Sequence, residues 1–151
     1  MDRTEKERRK EDFESWITFM PDKIIVLKEA LPFEISKNLD YSSSSLDLIE
    51  RYLLDKYTRE DFSKNENKYF LDQLASYLGT TCKRNWQNSF WDIELDDEQQ
   101  AFFGVPILKI KESPLPPFSP YHTLTALFSR KRGNFLSTIL ESTKKMLERE
   151  R

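Results

Sequence analysis

The densest run of chemically capable side chains is acidic. Asp92, Glu94, Asp96, Asp97 and Glu98 fall within seven residues, next to three large aromatics, Trp86, Phe90 and Trp91. Carboxylates this close could bind Mg²⁺ or Ca²⁺, or pair as acid and base for hydrolysis. A calcium loop needs a glycine at its sharp turn and a set ligand spacing, and both are missing here. The same residues also suit a binding surface, because aromatic anchors ringed by charge are favoured at interfaces and a negative field steers a basic partner inward. Other chemistry has little to draw on. The chain has one histidine, His122, and one cysteine, Cys82. A Cys82–His122 dyad is formally open, but one of each cannot close a zinc site. Cys82 reads as a small buried hydrophobe on a helix face, and His122 as an exposed or capping residue. No serine elbow of the GxSxG kind occurs.

The three glycines, Gly79, Gly104 and Gly133, are isolated. Phosphate-cradling loops need them clustered, so nucleotide cofactors are not expected, and neither is any other cofactor or resident metal. The net charge of −2 and pI near 5.6 argue against a nucleic-acid coat, which usually carries a basic excess. A basic turn, Arg130-Lys131-Arg132, could touch phosphate, alone or together with Lys83 and Arg84, or simply be solvated. Pro114-x-x-Pro117 and Pro117-x-x-Pro120 have the spacing of groove-binding ligands, though a structural crossover explains them as well. The longest apolar run, Ile24 to Leu27, is far short of a membrane span. With no signal-peptide pattern at the N-terminus, the expected location is the cytoplasm.

These residues must be positioned by local structure. Residues 1–12 are nearly all polar and are expected to form a flexible charged arm, leaving residues 13–148 as one domain. Phe13, Trp16, Ile17 and Met20 mark one helix face, stopped by Pro21. Residues 22–31 fit either a strand or a helix capped by Asp22, and Ile24, Leu27 and Leu31 favour the helix. An irregular piece then runs to Asp40. Ser44 and Asp47 resemble a capping box for a helix carrying Leu46, Ile49, Leu53 and Tyr57. After a polar connection over 58–67, Phe70, Leu74, Tyr77 and Leu78 mark a helix that continues through Gly79 to about Arg84, as if another backbone packed there.

From Phe90 to Leu95 the period changes to two, with Trp91, Ile93 and Leu95 opposite Asp92 and Glu94. Residues 96–99 read as a turn and 101–111 as the return strand, at an edge or bulged because of Pro106. A proline-rich extended segment, a short helix starting at Pro120 and a last helix from about Asn134 complete the chain. The expected fold is α+β, predominantly helical, with a small antiparallel hairpin at about 89–111 packed against helices.

Leu31-Pro32-Phe33, Ser45 to Glu50, Tyr77-Leu78-Gly79, Trp91 to Leu95 and Ser119-Pro120-Tyr121, in that order, resemble small bacterial α+β proteins of toxin-immunity type. The resemblance implies stoichiometric binding to a basic toxin domain, without chemistry; it brings no binding residues with it. The leading expectation is therefore a protein-binding module that occludes a basic partner through Trp86, Trp91, Asp92, Glu94, Asp96, Asp97 and Glu98. The alternatives are a small carboxylate- or metal-dependent hydrolase, and a structural homo-oligomer joined through the last helix and the edge strand at 104–111.

Overall fold

The computed structural model describes residues 1–149. It is a predominantly helical α+β fold with one two-stranded antiparallel sheet. Helix α1 spans Arg3–Thr18 and so includes most of the polar stretch expected to be an arm. Asp2 caps it by accepting the Glu5 N–H, and Arg3–Glu7 and Arg8–Asp12 pair along its surface. Pro21 lies in the first turn of α2 (Met20–Ala30), where its missing N–H costs nothing. Residues 22–30 are helical and Leu31 is the extended C-cap: Ile24 and Leu27 face inward while Ile25 and Val26 face solvent. The N-cap is Phe19 rather than Asp22.

A single turn, α3 (Phe33–Ser36), interrupts the irregular stretch. Helix α4 spans Ser43–Lys56, and its cap is Ser42, whose Oγ accepts the Ser45 N–H; Ser44 lies inside the helix. The polar connection contains a short α5 (Arg59–Phe62) and a 3₁₀ turn at Asn65–Asn67. Helix α6 (Lys68–Asn85) runs through Gly79 without a break. The space at Gly79 is taken by an indole rather than a backbone: a Cβ there would stand 2.2 Å from Trp91 Cη2.

Strand β1 (Ser89–Ile93) pairs with β2 (Pro106–Ile110), with Trp91 opposite Leu108 and Ile93 opposite Pro106. The return strand is shorter than its apolar pattern suggests. Residues 101–105 form turns, and Pro106 opens the strand, a position where no ladder donor is needed. Leu108 turns its backbone away from β1 and exchanges both hydrogen bonds with Phe118, at 2.8 and 2.9 Å. The proline-rich segment thus hydrogen-bonds to the outer edge of β2 at Leu108. Helices α7 (Pro120–Arg130) and α8 (Phe135–Arg149) follow.

The core forms around α6, which packs against α2 and α7, while α8 lies along α4. Leu27, Leu46, Leu53, Leu74, Tyr77, Leu124, Leu127 and Leu140 are fully buried in it. Among the described residues no helix is long and apolar enough to cross a membrane.

Candidate protein-binding site

The acidic residues lie on and beside the loop that joins the two strands. Gly104, with φ at +77°, donates its N–H to the Glu94 carbonyl at 2.9 Å. That bond closes residues 94–104 into a compact Ω-type loop whose ends nearly meet. Leu95 is buried under it, and residues 96–101 face solvent. The loop lies over the sheet face that carries Asp92, Ile107 and Lys109, and Ile107 is buried beneath it.

This closure makes a recess of about 200 Å³ lined by Glu94, Gln100, Phe102, Ile107, Lys109 and Pro117. Its floor is apolar and its walls carry two charges. Lys109 is already paired with Asp92 at 2.8 Å. Glu94 Oε2 accepts the Asp96 N–H at 3.1 Å, which orients the carboxylate. Glu94 is in no ion pair among the described residues, so the recess keeps one uncompensated negative charge.

The other acids are held to different degrees. Asp96 pairs with Lys6 of α1, and that hydrogen bond, with the lysine's charge, holds its carboxyl below the usual range. Glu98 lies 3.5 Å from the N-terminal ammonium. Asp97 accepts the Gln99 N–H at 3.0 Å, a loop-shaping bond that leaves its charge in solvent. The polar N-terminal stretch therefore buttresses the acidic loop, a role its sequence did not suggest.

The two tryptophans do not join this surface. Trp86 is only 3% exposed. It ends α6 in an extended conformation, which turns its indole inward to donate to the Leu140 carbonyl at 3.0 Å. Trp91 is on the opposite sheet face from Asp92, half-buried against Gly79 and edge-on to Trp16 at 5.0 Å. Period-two alternation explains the placement of Trp91: the strand that turns Asp92 to one face turns its neighbour to the other. Both tryptophans thus lie away from the acidic recess, where Phe102 is the aromatic.

A second polar cluster was not foreseen. Asp72 Oδ1 accepts from Trp16 Nε1 at 2.7 Å and from the Tyr121 hydroxyl, and Asp72 Oδ2 is 2.9 Å from Lys23 Nζ. Four helices, α1, α2, α6 and α7, meet at this carboxylate. Burial pushes the Tyr121 phenol well up, and the adjacent Asp72 adds to the shift. The cluster's donors and acceptors are spent on one another, so it acts as a structural tie.

His122 and Cys82 do not come together as a dyad. Cys82 is completely buried, and burial pushes its thiol far up. His122 is exposed; its Nδ1 is 2.7 Å from Ser119 Oγ, which also accepts the His122 N–H and so caps α7. Among the described residues, no group of three His, Cys, Asp or Glu is placed to hold a metal ion.

The raised groups predict the alkaline behaviour of the fold. Burial raises the Cys82 thiol and the Tyr77 and Tyr121 phenols above their ordinary values. The unfolded chain therefore loses protons that the native chain retains. Their contribution to stability is fully present below about pH 9 and is lost progressively as pH rises from there toward their much higher folded-state values. Urea midpoints measured at about pH 8 and about pH 10.5 should fall markedly, and equal midpoints would contradict this.

No protein-family model, curated protein or solved structure matches this chain.

Proposed function

We propose that the chain is a protein-binding module whose acidic loop, 94–104, occludes a basic site on its partner. The supporting observation is the recess at Glu94. At about 200 Å³ it is smaller than the roughly 300 Å³ at which ordinary small-molecule pockets begin, and it suits one inserted side chain. An arginine fits its chemistry: the aliphatic stem against Phe102, Ile107 and Pro117, the guanidinium against Glu94. Asp97 and Glu98 at the exposed turn would speed the encounter by steering. An immunity-type inhibitor of a basic toxin domain is the most concrete form of this reading. No reacting group is needed for it, only occlusion.

Nuclear magnetic resonance titration with a blocked arginine peptide tests the recess. The expected result is saturable shifts at Phe102, Ile107 and Ala101, absent with the uncharged citrulline peptide and lost in Glu94→Gln. Shifts of equal size with citrulline, or spread evenly over the surface, would overturn the reading.

A further inference from the structure

A larger cavity than the acidic recess lies elsewhere along the chain, and its charge is opposite. It has a volume of about 610 Å³, within the range of small-molecule sites, and is lined by Leu54, Tyr57, Thr58, Arg59, Phe128 and Lys131. Its apolar wall continues into an aromatic cluster: Tyr57 contacts Phe62 at 5.7 Å, and Phe62 contacts Phe128 at 5.0 Å. Burial pushes the Tyr57 phenol up, which fits a partly dehydrated wall.

The rim is cationic. Arg59 and Lys131 line the cavity, and Arg130 and Arg132 flank Lys131 on the basic turn. Among the described residues, none of these four is in an ion pair. Arg59 makes one long bond, 3.4 Å, to Ser129 Oγ, and Arg130 lies over the Phe135 ring. The nearby carboxylates Asp55 and Asp61 face Lys56 and Lys64 instead; Glu60 is the acid closest in sequence to Arg59 without a cation of its own. An apolar cavity of ligand size beneath unpaired cations suits a molecule with an apolar body and an anionic head.

We propose that this cavity binds a small amphiphilic organic anion, its carboxylate or phosphate head on Arg59 and Lys131 and its apolar body against Leu54, Tyr57 and Phe128. This site is independent of the acidic loop.

Calorimetric titration of the full chain with decanoate, decyl phosphate, decanol and inorganic phosphate tests it. One saturable site for decanoate or decyl phosphate is expected, and which of the two binds more tightly identifies the head. Decanol and inorganic phosphate should each bind at least about tenfold more weakly, since each lacks half of the recognition. The double variant Arg59→Gln, Lys131→Asn should lose at least about tenfold in affinity with its thermal midpoint unchanged. Both side chains are exposed, and asparagine tolerates the left-handed backbone at position 131, φ +51°. Glu94→Gln should bind as the wild type does, which separates this site from the acidic recess. Decanol binding as tightly as decanoate, unchanged affinity in the double variant, or no binding of either anion would overturn the proposal.

Discussion

Glu50→Ala should destabilise the fold by about 3–4 kcal/mol, the largest loss expected from a single charged residue in this chain. Glu50 is 0% exposed, yet its carboxylate has a structural task. Oε2 accepts the Phe135 N–H at 3.0 Å and Oε1 accepts the Leu136 N–H at 2.7 Å. These are the first two amides of α8, which have no partner inside their own helix. The carboxylate of α4 thus replaces a local cap and places a negative charge at the positive end of α8. Alanine would leave two donors unsatisfied, each costing about 1–3 kcal/mol, and would open a cavity. Glu50→Gln keeps one acceptor oxygen and should cost about half as much. Urea denaturation checks the order: wild type most stable, then glutamine, then alanine. A loss below about 1 kcal/mol for alanine would show that α8 docks without this cap.

Gly79 and Trp91 should show strong non-additivity. In the wild type, Gly79→Ala brings a Cβ to 2.2 Å from Trp91 Cη2 and 2.6 Å from Cζ2. The indole must move, and that disturbs its edge contact with Trp16 and the Asp72 tie behind it. Overpacking of this kind costs about 1–3 kcal/mol, against about 1 kcal/mol that alanine returns in helix propensity. A net loss of about 1 kcal/mol, and at most about 2, is expected. Trp91→Ala alone should cost about 3 kcal/mol, at the low end for a large aromatic because Trp91 is only half-buried. In the Trp91→Ala background the collision is gone, so Gly79→Ala should become stabilising by up to about 1 kcal/mol. This change of sign in a double-mutant cycle is the diagnostic result. Additive effects would mean that the indole does not hold this position.

The helices were legible because their apolar residues recur at helical spacing. Leu46, Ile49 and Leu53 placed α4, and the pattern through Cys82 carried α6 past Gly79. The reason for Gly79 was not legible, because the side chain that fills the space comes from another element, β1. Strand β1 was readable from alternation, but β2 was overextended to residue 101. Apolar Phe102 and Val105 look like strand residues, and only the closing bond from Gly104 to Glu94 makes them part of a loop. The acidic residues were found by composition alone. Their sorting into paired and unpaired charges was not, since Lys6, Lys109 and the N-terminus come from outside the run. Trp86 was misplaced because adjacency in sequence to acids says nothing of the inward turn at the end of α6. The recess depends on Pro117 from beyond the hairpin, and the cationic cavity joins α4 and α5 to the end of α7. Neither spacing nor period reports such long-range closure.

The acidic loop also gives the hairpin its asymmetry. One sheet face is committed to the core through Trp91 and Leu108; the other would be wet were it not for the loop folded over Ile107. That arrangement leaves Glu94 at the wall of a hollow and Asp97 at the tip, with Lys109, Lys6 and the N-terminal ammonium facing Asp92, Asp96 and Glu98. The surface is built to present a few carboxylates rather than a diffuse negative field.

The most direct measurement is affinity purification of the tagged full chain from its source cells at low salt, set beside the Glu94→Lys, Asp97→Lys double variant. Wild type should recover one basic protein in stoichiometric amount, the double variant should lose it, and Arg59→Gln, Lys131→Asn should retain it. Recovery of the same protein by the charge-reversed chain, or of no basic protein by the wild type, would contradict the account.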